Sequence, residues 1–389
     1  MTAPQIEIQI IAVVVSTACA IPGTLLVLRK MAMISDAISH SILPGIVVGF
    51  FITHNISSPI LVLFAALTGL LTVLLVESVN KTGLVKEDTA IGLVFPAMFS
   101  IGVILISRFA GDVHLDTHAV LVGELAFAPF DRLMVNGTDL GPKSLWVMGG
   151  ILLLTLILLF TFYKELKLST FDAQLAASLG FTPVVIHYGL MTMTSITAVG
   201  AFDAVGAILV VALMIVPASA AYLITKSLKK MLLLSVGLGI AAAVSGYWAA
   251  HWVNASIGGS MATMLGIIFF LVFMFAPSTG MISVLMRRRR QKLEFAMLTF
   301  LLHLKNHQQK ADSIEEQKVD HLTGHFRWSR SKADKVLHLA QKNNMIRMND
   351  GLVELTEKGS SFTSEAMHYI ITNKNLEPAN IWGQFLIFR

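Results

Sequence analysis

Apolar residues fill most of the first 277 positions in long blocks separated by short polar breaks. Each block is close to the roughly 20 residues that a helix needs to cross a bilayer. The pattern predicts nine spans, near 6–28, 32–52, 58–78, 89–107, 145–163, 181–201, 204–224, 231–251 and 258–277. The short second block and the close pair after residue 181 leave eight as the other count. Ile6–Leu28 is long and lacks a basic lead, so it reads as a first span and not as a cleavable signal.

After Arg290 the pattern changes to that of a soluble domain. Ser329–Asn343 has helical spacing and a serine-rich start, and Asp312–Leu322 is a candidate helix before it, with a turn at Gly324–Trp328. Met345–Thr356 alternates apolar residues on both sides of Asp350–Gly351, which predicts a hairpin with a two-residue turn. The expected fold is an all-α polytopic membrane protein of 8–9 transmembrane helices, residues 1–286. A small cytoplasmic winged helix-turn-helix domain, residues 287–389, would follow it.

Composition agrees with the spans. Of 389 residues 55% are hydrophobic and only 14% charged, against roughly 25% charged in soluble domains. Residues 1–286 hold 12 Lys/Arg and 13 Asp/Glu, while 287–389 hold 17 and 11, so the net +5 belongs to the tail. Without the Arg287–Arg290 run the tail carries only +2, weak grounds for nucleic acid as a partner. One cysteine, Cys19, excludes an intrachain disulfide and a cysteine-based zinc site.

Charge also orients the spans. Arg29, Lys30, Lys81, Lys86, Lys164, Lys167, Lys226, Lys229 and Lys230 fall on one side, and only Arg108, Arg132 and Lys143 on the other. The first side is expected to be cytoplasmic. The Arg287–Arg290 run joins it, so the N-terminus lies outside and the tail inside.

The candidate chemistry centres on Met33–Gly45, MISDAISHSILPG. Asp36 and His40 are four residues apart and share a helix face. Ionisable groups inside a span usually line a path or cavity. Pro44 has no N–H, so the carbonyl of His40 loses its helical partner. Carboxylate, imidazole and freed carbonyl together suit a divalent transition metal. A helix–helix contact in which the two side chains bond each other or a neighbour is the other reading.

The longest connection, 108–144, is expected outside the cell and carries His114, Asp116 and His118, which would share a face in an extended segment. They either pre-capture metal or are ordinary loop residues. Glu124, after Gly123, opens a short interfacial or re-entrant helix in this reading.

On the inner side Ser169–Gly180 reads as one short amphipathic helix, with Ala173, Leu175, Ala176 and Leu179 on helical spacing and Gly180 as its C-cap. Its small-residue face, with Phe171 as an apolar anchor, could dock in a partner's groove, or the helix could lie on the membrane.

The sixth block is unusually polar, and Thr192, Thr194, Ser195 and Thr197 can bond across helices. Asp203 is expected in the turn after it, as a turn cap or a path residue, and Pro217 should kink the seventh block. His187 and His251 read as structural histidines. No GxxxxGK[ST] phosphate loop occurs, so the chain is not itself an ATPase, and no enzyme is expected.

Taken in order, these motifs resemble the permease subunit of ABC importers for zinc, manganese or iron. The resemblance rests on Arg29–Lys30–Met31, Ser35–Asp36–Ala37, Ser39–His40 and Leu43–Pro44–Gly45. Further on it rests on Glu87–Asp88–Thr89–Ala90–Ile91–Gly92, Phe171–Asp172 with Ala176 and Gly180, Val205–Gly206–Ala207–Ile208–Leu209–Val210, and Ile215–Val216–Pro217–Ala218 with Ala220.

The resemblance implies a bacterial inner-membrane protein working as a pair of permeases, homodimer or paralogues. It implies an ATP-binding cytoplasmic subunit and an external metal-binding protein. Manganese, zinc or iron would be cargo, with no cofactor held by this chain and ATP on the partner. It also implies a metal path through Asp36 and His40 and a coupling helix at Phe171, Asp172, Ala173, Ala176 and Gly180.

The tail is similar to the winged-helix domain of diphtheria-toxin-repressor-type metal regulators. The matching residues are Trp328–Ser329, Val336–Leu337, Met345–Ile346 and Leu355–Thr356–Glu357–Lys358–Gly359. His368 stands near, but out of register with, a ligand of that family, and NLEPANIWGQFLIFR departs from its pattern. A proton-coupled metal transporter and a membrane-tethered metal-responsive regulator are the other functions that the residues admit.

Overall fold

The computed structural model describes residues 2–54, 58–109, 125–135, 138–307, 325–349 and 351–372. It divides into two compact units, Met1–Met281 and Ile282–Arg389. Among the described residues nine helices are long and apolar enough to cross a bilayer. They are Ala3–Leu28, Met33–Thr53, Ile60–Lys81, Glu87–Arg108, Lys143–Thr161, Pro183–Val205, Ala207–Ile224, Leu228–Val253 and Ile257–Phe275, spans one to nine. The lower count of eight is set aside.

Span one is the centre of this unit. Its most apolar window is 72% buried, against 11% for span nine. It packs on spans five, six, seven and eight, with Ile11, Val15 and Leu25 fully buried. A helix apolar on every face has no solvent side to offer, and its sequence fits the interior place.

Span two is two helices, Met33–Ser41 and Leu43–Thr53, joined at Ile42. The cause is Pro44, whose ring crowds the preceding turn and which gives the His40 carbonyl no N–H. Around the joint, hydroxyls bond backbone and one another. Ser39 donates to the Ser35 carbonyl at 2.9 Å, and Thr72 of span three donates to Ser41 at 2.8 Å. The second half presses closely on span three. A Cβ on Gly45 would stand 2.3 Å from the Phe64 carbonyl oxygen, so no side chain fits there.

Span six runs to Val205, four residues past its expected end, and Gly206 alone separates it from span seven. Asp203 therefore lies in the last turn of a helix and not in an inter-span turn. Of the four hydroxyls expected to cross helices only Ser195 does, donating to the Ala66 carbonyl of span three at 2.9 Å. Thr192, Thr194 and Thr197 donate to carbonyls one turn back in their own helix, each at 2.8 Å. Pro217 is accommodated inside span seven.

Before span five the chain forms a hairpin, Arg132–Val135 antiparallel to Thr138–Pro142, that the hydrophobic pattern does not announce. Arg132 bonds Asp139 across it and reaches Glu7 at 3.4 Å.

In the second unit one helix, Met281–His307, carries the Arg287–Arg290 run in its interior. Helix Arg330–Lys342 starts after Ser329, as its serine-rich lead suggests. Strands Ile346–Asn349 and Leu352–Leu355 pair with Asn349 opposite Leu352, and helix Glu357–Thr372 follows. Phe300, Leu301, Val336, Ala340, Met345 and Val353 form the core of the unit. Asp312–Leu322, Asp350 and the final stretch from 373 lie outside the described residues.

The Gly45 contact gives a direct check. Gly45→Leu should lower the thermal stability of the detergent-solubilised chain by about 1–3 kcal/mol, through a clash with backbone that cannot rotate away. A melting temperature equal to that of the wild type would show that spans two and three are free to separate here.

Candidate functional site

Helix Met33–Ser41 packs against spans three, four, six and seven, and this buries Ile34, Ser35, Ala37, Ile38, Ser39 and Ser41. The side left open presents Met33, Asp36 and His40, spaced by three and four residues. His40 Nε2 lies 3.5 Å from Asp36 Oδ1, and the two side chains are 33% and 32% exposed. The His40 ring sits 5.9 Å from that of Phe95 in span four. The pair is thus linked, and it is open on the face that this chain does not cover.

Two donors are few for a transition metal, which takes four or more. Among the described residues no group of three or more His, Cys, Asp and Glu side chains comes together. Asp203 is not brought near the pair; it sits exposed in the last turn of span six. His114, Asp116, His118 and Glu124 lie outside the described residues.

Beside the end of span one stands a polar network that the sequence did not disclose. Arg29 donates from Nε to Thr170 Oγ1 at 3.1 Å and from Nη2 to Ser169 Oγ at 3.3 Å. Its Nη1 meets His187 Nδ1 at 3.2 Å. A guanidinium only donates, so Nδ1 accepts and the ring hydrogen is on Nε2. That hydrogen points at Glu77 of span three, whose other oxygen accepts from Tyr188 at 2.8 Å. Partial burial draws the Arg29 pKa down from its ordinary value, which is far enough above neutrality for the charge to persist. His187 is, as expected, a fully bonded structural histidine.

Ser169 and Thr170 belong to helix Tyr163–Phe171, which follows span five. The expected single helix from Ser169 to Gly180 is in fact broken at Asp172. Asp172 is extended and caps a new six-residue helix, Ala173–Ser178, its Oδ1 accepting from Leu175 N at 2.9 Å. At the other end Gly180 is at φ +87, the left-handed conformation that glycine tolerates best. Gly180 N donates to Ala177 O and Phe181 N to Ala176 O, which closes the helix as a Schellman motif.

The direction of this helix removes Ala176 from the expected docking face and leaves Phe171, Asp172, Ala173 and Gly180 exposed. Ala176 is fully buried against its own chain, so no partner can reach it. Phe171, Leu175 and Leu179 point out instead, 56%, 45% and 61% exposed and four residues apart. Sequence spacing found the helix but not its phase, because nothing local says which side meets the body.

The fold and these sites define a class: a polytopic membrane protein with an open ionisable pair in span two and an apolar helical knob between spans five and six. The model of the ABC 3 transport family matches residues 6–276, and the chain belongs to that family. It is 47% identical over 355 residues to the zinc transport system membrane protein TroD of Treponema pallidum, covering 91% of this chain and 96% of that one. That match is too long to be confined to the spans. It is 46% identical over 284 residues to the manganese transport system membrane protein MntD of Bacillus subtilis, covering 73% and 96%. Among solved structures, PsaBC from Streptococcus pneumoniae in complex with Fab aligns with a TM-score of 0.59 at 28% identity, over 72% of this chain and 94% of that one.

The Arg29 network should behave as one unit. In a double-mutant cycle with Arg29→Ala and His187→Phe, the stability losses should fall short of additive by about 0.5–3 kcal/mol, since either change breaks the same chain of bonds. Additive losses would mean that the two residues act independently.

Proposed function

We propose that the chain is the membrane-spanning permease of an ATP-driven importer that carries divalent zinc, manganese or iron into a bacterial cell. Its family, and relatives named as zinc and manganese transport proteins, support the cargo. The observation that carries the mechanism is the open Asp36–His40 face. A carboxylate in a span is too costly to present to lipid. A second permease copy against that face would enclose the pair and add its own, giving two carboxylates and two imidazoles for the metal. That set suits zinc, manganese and ferrous iron alike.

The chain holds no nucleotide loop, so an ATP-binding subunit must supply the motion. In this reading that subunit seats on Phe171, Leu175 and Leu179. Arg29 then passes displacement of Ser169 and Thr170 to spans one, three and six. An external binding protein delivers the metal to the opposite side. The tail, on the cytoplasmic side, is a winged-helix module that tunes transport or assembly. Helix Arg330–Lys342 and the hairpin that follows it support that reading, and the modest charge of the tail weighs against sequence-specific DNA binding. Family membership weighs against the proton-coupled transporter and the tethered regulator.

Asp36→Asn and His40→Ala should each reduce metal uptake by at least about tenfold at unchanged membrane level, as loss of coordination requires. Normal uptake in both would remove the pair from the path. Separately, Leu175→Arg should release the ATP-binding subunit on purification, because a buried unpaired charge opposes the contact. Metal binding at span two should survive it. Retention of the subunit in normal amounts would place the coupling contact elsewhere.

A further inference from the structure

The second unit contains a groove of about 1320 Å³ between the start of helix Met281–His307 and the start of helix Arg330–Lys342. Arg288, Arg289 and Lys292 line one wall, Lys332 and Lys335 the other. Among the described residues no acidic one lines it. Trp328 stands among the cations, its ring 4.9 Å from Lys332 Nζ and stacked on Phe326 at 4.7 Å. Ser329, at the N-cap of the second helix, makes no side-chain bond to the first amides, which leaves that end oriented toward negative charge. Five cations around one groove repel one another unless an anion enters. The aromatic pair asks in addition for an apolar body beside the charge.

We infer that this groove binds the headgroup of an anionic phospholipid. Such a lipid offers both the phosphate and the apolar shoulder. The choice over nucleic acid comes from the tether. Leu285, the first lining residue, follows the end of span nine by about ten residues, a reach of roughly 35 Å at most. A duplex held that close to the membrane would meet the negative potential of the leaflet, which repels it and attracts a polybasic segment. Arg288 and Arg289, the two residues of the arginine run that line the groove, are thus part of a structured lipid site, and lipid composition becomes an input to the tail.

The test uses the full chain in neutral detergent, titrated with phosphatidylglycerol or phosphatidylcholine and read by native mass spectrometry. One phosphatidylglycerol should bind preferentially. Lys332→Gln, Lys335→Gln, Arg288→Gln and Arg289→Gln should each weaken it by about fivefold, in proportion to the charge removed. Lys332→Arg and Lys335→Arg, which keep the charge, should retain it, and this separates lost attraction from lost folding. Equal affinity for the two lipids, or no effect of any glutamine variant, would overturn the inference. So would displacement of the lipid by equimolar inorganic phosphate, which would make the groove a soluble-anion site. Displacement by duplex DNA, sensitive to the same variants, would make it a nucleic-acid groove.

Discussion

Inside the hydrocarbon of a bilayer no water is on hand to satisfy a carbonyl, a hydroxyl or a carboxylate, so the chain must do it. Many polar groups of the spanning unit follow this rule, although among the described residues the buried hydroxyls of Ser16 in span one and Thr155 in span five have no partner. The hydroxyls of span six turn back on their own helix, and Ser195 reaches a neighbouring carbonyl. The break in span two lies among buried serines, with Thr72 bonded to Ser41. Glu77 is answered by His187 and Tyr188. Asp36 and His40 stand apart from this. They answer each other only at 3.5 Å and remain a third exposed, which is why function is sought there.

The spans were legible because length and apolarity are local properties and the bilayer fixes both. The lost partner of the His40 carbonyl was legible for the same reason, since one proline removes one N–H wherever the rest of the chain lies, while the division into two helices at Ile42 was not. That Asp36 and His40 share a face followed from a four-residue spacing, whereas the openness of that face did not. The Arg29 network was not legible. Its partners at 77, 169, 170 and 187 are distant in sequence, and neither the charge of Arg29 nor its place in the Arg29–Lys30–Met31 motif names them. The inward turn of Ala176 was not legible because a stripe of alanines is compatible with either contact, and its neighbours Ala173 and Ala177 are exposed. Burial of Ala176 against its own chain decides it. The tail's long helix was obscured by four consecutive arginines, which carry no periodicity of their own.

The two polar sites of the spanning unit differ in a way that matches their proposed work. Around Glu77 both carboxylate oxygens accept, one facing His187 and the other Tyr188, an arrangement that resists local rearrangement. Around Asp36 the bonding is loose and one side is vacant. A transporter needs both kinds of place, a stiff one to carry displacement and an unsaturated one to take and release a ligand.

The six-residue helix Ala173–Ser178 is too short to be helical by itself in water. It holds because Asp172 closes its first turn, Gly180 closes its last, and Ala176 is pinned beneath it. Its outward leucines are therefore presented already ordered. A subunit that seated on them would order little further backbone, since the helix is already closed at both ends. Such a contact could be small and still persist, and in the proposed reading it would be a fixed handle that transmits a push without first having to fold.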